Sequence, residues 1–225
     1  MSKVSDGAQE ALTGIEITSS RNNGPVQIAG NTEGLQCIGI GTDAAVFRHI
    51  NTPSFAYKVY AKDKVYKKDI EHYVYQILGE TETLPKLYET GDRYLKLGYE
   101  AGPTLYDCLV QGIHIPAQVI LDVEDTRSYI RECGLNPRDI HLKNILLQDG
   151  RAKVLDVSEY VMPGNDFRWE HLKKAYECYY HFIDSKPVPY WLMETIRKWY
   201  NHSPKDFETI DDFMKKIANL IQFKR

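Results

Sequence analysis

The chain changes character near residue 102, and this change limits the folds open to it. Before that point, short apolar and aromatic segments separated by glycines predict β-strands, with one helix over KKDIEHYVYQILGE that Gly79 stops. Beyond it, apolar residues recur mainly at helical spacing, and the last predicted helices cover FRWEHLKKAYECYYHFI, YWLMETIRKWY and DDFMKKIANLIQF. A strand-rich half followed by a helical half predicts an α+β fold. The 225 residues suffice for one medium domain or for two small lobes that share a cleft.

Charge and composition exclude several classes of protein. Lysine and arginine number 28 against 31 acidic residues, so bulk charge does not favour nucleic-acid binding. The apolar runs are too short for a membrane span, and the first residues, MSKVSDGAQE, lack the apolar core of a secretory signal. The four cysteines are widely spaced, which favours reduced thiols. We therefore expect a cytoplasmic protein that binds neither membrane nor nucleic acid.

Residues 1–34 differ in composition from the rest of the chain. They contain few large apolar side chains and are rich in serine, asparagine and glycine. This composition predicts a partly flexible N-terminal arm, or a short extra hairpin. From Leu35 onward the strand signals become regular, so we place the first structured boundary there.

A glycine-containing segment, GIGTDAAV, lies between two predicted strands. Gly39 and Gly41 lack side chains, and backbone N–H groups in such a loop can approach phosphate oxygens closely. A tight hairpin that needs positive φ angles would have the same sequence. The segment alone therefore leaves both interpretations open.

A lysine and a glutamate follow at a suggestive spacing. Lys58 lies within the apolar strand FAYKVY, and Glu71 follows 13 positions later on the predicted helix. A rotation of 100° per residue places Glu71 at the edge of the apolar stripe, beside Leu78. Lys58 alone fits the exposed face of a strand. The pair fits an ammonium that is held by a carboxylate and directed at phosphates.

Three polar residues flank a predicted hairpin in the second half. Asp139 and Asn144 lie five apart on one loop, and Asp156 ends an apolar strand 12 residues after Asn144. An aspartate can accept a hydroxyl proton, and asparagine and aspartate oxygens suit Mg²⁺. Polar residues that cap turns would look the same at each position taken singly. The intervening pair Asp149-Gly150 predicts the hairpin turn.

Taken in order, these segments resemble the protein-kinase-like superfamily over roughly residues 35–185. GIGTDAAV resembles the phosphate loop, AYK the lysine motif, YLKLGYEAGPTL the hinge, GLNPRDIHLKN the catalytic loop and LDVS the metal motif. The resemblance implies a two-lobed fold with a small β-rich N-lobe at 35–101. An abridged helical C-lobe would follow at 102–225. It also implies ATP as substrate and Mg²⁺ as cofactor.

The resemblance assigns roles to single residues. It makes Asp139, His141, Lys58 and Glu71 the catalytic set. The implied metal ligands are Asn144 and Asp156. The implied nucleotide-binding residues are Gly39, Gly41, Val46, Lys58, Leu97, Gly98 and Tyr99, with Leu97 at the gatekeeper position.

Several positions depart from the family pattern. Pro137 replaces the histidine that usually braces the catalytic loop, and His141 occupies the position of the loop lysine. Val157-Ser158 replaces Phe-Gly in the metal motif, a version that resembles the RIO-type atypical kinases. Nine residues separate Asp156 from Asp166, too few for the usual substrate-docking segment.

The function expected from these features is that of an atypical, minimal serine/threonine protein kinase. Its phosphoryl acceptor would be an unidentified protein or the chain itself. Two alternatives stay open on the sequence alone. The missing docking segment permits an ATPase or nucleotide-gated switch, and the substitutions at residues 137, 141 and 158 permit a catalytically weak pseudokinase that serves as a binding module.

Overall fold

The computed structural model describes residues 7–22 and 24–202, which form an α+β fold. Within that part the strands are β1 Ile15–Thr18, β2 Gln27–Gly30, β3 Leu35–Ile40, β4 Ala44–His49, β5 Thr52–Tyr60, β6 Leu87–Thr90, β7 Tyr94–Gly98, β8 Ile145–Gln148 and β9 Arg151–Val154. The α-helices are α1 Gly7–Thr13, α2 Val65–Leu78, α3 Leu105–Gln111, α4 Ala117–Glu132, α5 Arg168–Tyr179 and α6 Tyr190–His202. The helix predicted over DDFMKKIANLIQF lies outside the described residues.

The described chain divides into two compact units. The first comprises the residues up to Ala101 together with Thr126–Pro137 and Lys153–Pro163. The second comprises Gly102–Asp125, Arg138–Ala152 and the residues from Gly164 onward. The first unit is first interrupted after Ala101, and two later segments return to it.

A five-stranded antiparallel sheet forms the centre of the first unit, in the order β3-β4-β5-β7-β6. Strand β5 is the middle strand. Its Lys58 is opposite Val46 of β4 on one side and Leu95 of β7 on the other. Because side chains alternate across a strand, Lys58 lies on one face of the sheet and its neighbours Tyr57 and Val59 lie on the other.

Helix α2 follows the sheet's middle strand and ends where the sequence predicts. Gly79 has a φ of 64°, a left-handed conformation that glycine adopts without a steric penalty. The prediction for the buried face of α2 was wrong in detail. Glu71 does not lie at the edge of the apolar stripe but is fully buried, in a face that also contains Lys68, Val74, Tyr75 and Leu78.

The described part of residues 1–34 is packed rather than loose. Strands β1 and β2 form an antiparallel hairpin, so the extra hairpin considered from the sequence is present. Helix α1 precedes it. The apolar residues of this segment, Ala8, Leu12, Ile15, Ile17 and Val26, share one core with Ala45, Phe47, Tyr57, Val59 and Ala61 of the sheet region.

The second unit contains α3, strand β8, the first two residues of β9, and helices α5 and α6. Thr104 and Asp107 form a reciprocal capping box at the start of α3. The turn of the hairpin has left-handed φ angles at Asp149 and Gly150, 49° and 80°, as the sequence predicts. In the part of the chain described, no helix is long and apolar enough to cross a membrane.

The shared core predicts that the N-terminal hairpin contributes to stability. Ile17 is fully buried, whereas Ile50 is 68% exposed. We expect Ile17→Ala to lower the free energy of unfolding by about 2–5 kcal/mol, because it removes buried methylene groups and leaves a cavity. Ile50→Ala is the matched control, with a change within about 0.5 kcal/mol. Equal denaturant midpoints for the two variants would contradict the packing of the hairpin against the sheet.

Candidate functional site

Lys58 is the central cation of the candidate site in the first unit. Its Nζ lies 2.6 Å from Glu71 Oε2 and 3.1 Å from Asp156 Oδ2. The lysine side chain is 14% exposed, so it does not lie on a solvent-facing strand surface. The sheet register and helix α2 bring Lys58 and Glu71 together, and the segment after β9 adds Asp156. The predicted pairing of Lys58 with Glu71 is present.

Glu71 is held by more than the lysine. The hydroxyl of Tyr60, two residues beyond Lys58 on the same face of β5, donates a hydrogen bond to the same Oε2. Among the described residues, the other oxygen, Oε1, is buried without a hydrogen-bond partner. Burial raises the pKa of the Glu71 carboxyl, and the charge of Lys58 acts in the opposite direction. Burial and the nearby Glu71 raise the pKa of Tyr60, which keeps its hydroxyl protonated as a donor.

Asp156 is the second carboxylate on Lys58. Its Oδ1 accepts a hydrogen bond from the backbone N–H of Ser158 at 2.9 Å. Burial opposes ionisation of Asp156, but the Lys58 charge and the Ser158 hydrogen bond outweigh it and hold the pKa at about 2. Burial alone would lower the pKa of Lys58, yet Asp156 and Glu71 together raise it above its ordinary value.

The cluster therefore joins one ammonium to two carboxyl groups. Lys58 contacts one oxygen of each, and the ionised Asp156 carboxylate can attract a further cation. Asp156 presents hard oxygen donors, which is the ligand type that Mg²⁺ prefers. The residues present fit a magnesium site that includes Asp156.

The glycine segment forms the β3–β4 turn. Gly41 donates its N–H to the carbonyl of Ala44 at 2.9 Å, and its own carbonyl accepts the N–H of Val26 at 2.9 Å. Asp43 in the turn is bonded to Lys67 of α2, with Nζ to Oδ2 at 2.7 Å. The turn is thus tied to the N-terminal hairpin and to the helix that carries Glu71.

Positive φ angles do not explain the glycines of this turn. Neither Gly39 nor Gly41 is among the glycines with a left-handed backbone. A Cβ at Gly39 would make an ordinary contact of 3.6 Å with Val46, whereas one at Gly41 would lie 3.3 Å from the carbonyl of Ala44. This removes one of the two interpretations of the segment. Gly39 lies instead where the register of β3 against β4 shifts, between Cys37 and Gly39.

The predicted hinge residues have their amide groups engaged. Gly98 donates its N–H to the carbonyl of Lys86, and Tyr99 donates to the carbonyl of Ser54. The Tyr99 ring also packs under the guanidinium of Arg48, 4.2 Å from the ring centroid. Leu97 is buried on β7. If these residues bind a nucleotide base, Gly98 and Tyr99 would do so through their carbonyl oxygens rather than their N–H groups.

The predicted residues Asp139, His141 and Asn144 lie in the second unit. Asp139 has a left-handed backbone, with φ of 55°, and its N–H donates to Asp166 Oδ2 at 2.7 Å. Its carboxylate Oδ1 accepts a hydrogen bond from Arg168 Nη1 at 2.6 Å. The sequence did not identify Arg168 or Asp166 as functional residues. Their positions near the start of α5 gave no signal of this contact.

His141 and Asn144 surround the same aspartate. His141 Nε2 lies 4.0 Å from Asp139 Oδ1, and its Nδ1 accepts the N–H of Lys143 at 3.2 Å. Asn144 Nδ2 donates to the backbone carbonyl of Asp139 at 3.2 Å. Because the nitrogen of the amide is engaged there, its oxygen is the atom suited to a metal. The three predicted residues of this loop are therefore brought together.

One comparison with curated proteins decides the family. The chain is 35% identical, over 172 residues, to a Bacillus subtilis protein named "putative serine/threonine-protein kinase YrzF". The match covers 75% of this chain and 80% of the relative. The chain belongs to this kinase-like family. No protein-family model matches it.

The relative's name supports a kinase-like enzyme.

The low pKa of Asp156 predicts how stability depends on pH. Its folded-state pKa of about 2 lies below the unfolded value of about 3.9, so the carboxylate stabilises the fold above about pH 4. That contribution is lost as the pH falls towards 2. We expect the difference in unfolding free energy between the wild type and Asp156→Asn to shrink over this range in urea titrations. A difference that stays constant from pH 5 to 2 would contradict the ion pair.

Proposed function

We propose that the chain is an ATP- and Mg²⁺-dependent serine/threonine protein kinase of a minimal, atypical type. The observation that carries this proposal is the position of Lys58 between Glu71 and Asp156. An ammonium held in place by a buried carboxylate is suited to bind phosphate oxygens, since its geometry is fixed before the ligand arrives. The kinase-like relative supports the same reaction class.

In this proposal, the predicted residues take different parts in the chemistry. Lys58 binds the α- and β-phosphates of ATP, and Glu71 holds Lys58 in position. The β3–β4 turn with Gly39 and Gly41 covers the phosphates with its backbone, and Val46 and Leu97 contact the base. Gly98 and Tyr99 contact the base through carbonyl oxygens. Asn144 and Asp156 are the proposed ligands of Mg²⁺, which would neutralise phosphate charge when bound.

Asp139 is the proposed base. It orients a serine or threonine hydroxyl of the acceptor and takes its proton. The hydroxyl oxygen forms a bond to the γ-phosphorus while the bond from that phosphorus to the β,γ-bridging oxygen breaks. ADP leaves with that bond's electron pair, and the proton passes from Asp139 to solvent. His141 is proposed to face the transferred phosphoryl group.

The proposal also covers the arrangement of the fold, the type of kinase, the cellular location and the acceptor. The two-lobed arrangement, the RIO-type character of the metal motif and the cytoplasmic location follow from the resemblance and the composition. The acceptor is a protein, either another chain or this one. The short link between Asp156 and Asp166 favours an acceptor that does not dock on a long activation segment.

The fate of the γ-phosphate tests the proposal. Purified protein is incubated with γ-labelled ATP, Mg²⁺ and a generic acceptor such as casein, and the label is followed to serine and threonine or to free phosphate. We expect label on protein, and a decrease of roughly 10² to 10⁴ in the initial rate for Asp139→Asn, because the base is lost.

Asp92→Asn is the matched control, since Asp92 is an exposed carboxylate in the loop before β7. It should transfer label like the wild type. Label found only as free phosphate would replace the kinase proposal with the ATPase alternative. Absence of any turnover in the wild type would support the binding-module alternative instead.

A further inference from the structure

Arg168 makes the contact that the sequence did not anticipate. It is the first residue of α5, and its Nη1 lies 2.6 Å from Oδ1 of Asp139. The side chains of Asp139 and Arg168 are 33% and 36% exposed. The pair is therefore neither sealed in a core nor fully solvated, and a substrate group could reach it.

The other cations of the catalytic loop are placed differently. His141, which occupies the position of the family's loop lysine, has its Nε2 at 4.0 Å from Asp139 Oδ1, beyond hydrogen-bond distance. Lys143 lies two residues further on. Its Nζ is 4.4 Å from the ring centroid of Tyr106 and 3.9 Å from Glu194 Oε1. The guanidinium of Arg168, in contrast, is in direct hydrogen-bond contact with the aspartate.

Asp166 fixes the geometry of this pair. Its Oδ2 accepts the N–H of Asp139 at 2.7 Å, and its Oδ1 accepts the N–H of Arg168 at 3.2 Å. Asp139 and Phe167 both have left-handed φ angles, 55° and 56°. Aspartate tolerates this conformation, but it is uncommon for a bulky residue such as Phe167, which its surroundings must hold there. One carboxylate therefore holds the backbones of both partners, so the ion pair is preorganised.

We propose that Arg168 is a positioning residue for phosphoryl transfer, supplying the cationic hydrogen bond to Asp139 that His141, at 4.0 Å, does not make. This inference rests on the proposed kinase function. The guanidinium keeps one carboxylate oxygen occupied and charged, so the acceptor hydroxyl meets an aspartate of fixed orientation. A base in a fixed position gives a higher rate than a mobile base, because misplacement by about 1 Å lowers the rate on the order of 10²-fold.

Two other roles for Arg168 make different predictions. An inhibitory clamp would have to release Asp139 before each turnover, so its removal would raise the rate. If Arg168 only stabilised the fold, its removal would lower stability, and a cation at another position of the loop would not restore the rate. The proposal requires that such a replacement works.

The experiment uses the full-length chain and steady-state transfer of γ-phosphate from Mg–ATP. Three variants are compared with the wild type: Arg168→Met, Arg168→Lys and the double variant Arg168→Met/His141→Lys. A lysine at 141 is longer than the imidazole, which already approaches Asp139 to 4.0 Å, so its ammonium can reach the carboxylate. Arg197→Met is the matched control, because Arg197 is also a helical arginine bonded to a carboxylate, that of Glu194.

We expect Arg168→Met to lower kcat by roughly 10- to 100-fold, with the KM for ATP unchanged, because the loss affects the base and not nucleotide binding. Arg168→Lys should retain most of the rate. On a logarithmic scale, the double variant should regain at least half of the kcat that Arg168→Met loses. Arg197→Met should match the wild type, and thermal midpoints identify any variant that is merely unfolded.

A rate for Arg168→Met equal to or above that of the wild type would overturn the inference. So would a double variant no faster than Arg168→Met while both are folded. These results leave the kinase proposal standing, since the wild type still transfers phosphate. A wild type that transfers no phosphate would instead remove the proposed function itself, and this inference with it.

Discussion

The ion pair between Lys58 and Glu71 is the interaction on which the rest of the first unit depends. Glu71 is fully buried, and an isolated carboxylate there would cost several kcal/mol of desolvation. The pair is tolerated because Lys58, Tyr60 and the helix register converge on one oxygen. Because Lys58 lies on the middle strand of the sheet, strands β4 and β7 hold its backbone from both sides. The site therefore lies on a strand that is hydrogen-bonded to a neighbour on each side.

The N-terminal segment extends this constraint to the glycine turn. Its apolar residues cover the face of the sheet opposite Lys58, with Tyr57 and Val59 in the shared core. The N–H of Val26 then bonds the carbonyl of Gly41, and Asp43 bonds Lys67 of the helix. The turn is therefore held at two points. The hairpin thus contributes to the position of the backbone that we propose to contact phosphate.

The sequence predicted the elements that depend on local pattern. The hairpin turn at Asp149-Gly150, the stop of α2 at Gly79 and the pairing of Lys58 with Glu71 all follow from residue type and spacing. The burial of Glu71 was mispredicted because α2 turns a polar face, with Lys68 and Tyr75, towards the protein. Apolar periodicity alone cannot reveal a buried face that contains charged residues.

The sequence did not predict the contacts between residues that are far apart in the chain. The packing of residues 7–30 depends on a few small or medium apolar residues that have no strong periodicity. The contact of Arg168 with Asp139 depends on left-handed φ angles at Asp139 and Phe167, which residue type does not predict. Both features result from tertiary structure overriding local preference.

Calorimetric titration with Mg–ADP tests the central claim most directly, since it measures nucleotide capture without requiring an acceptor. We expect the wild type to bind and Lys58→Met to bind at least about tenfold more weakly, because the cation that we propose to contact the phosphates is lost. Lys62→Met is the control, since Lys62 pairs with Glu16 at the surface. It should bind like the wild type. Equal affinities for folded Lys58→Met and Lys62→Met would contradict the assignment of the Lys58 cluster to nucleotide binding.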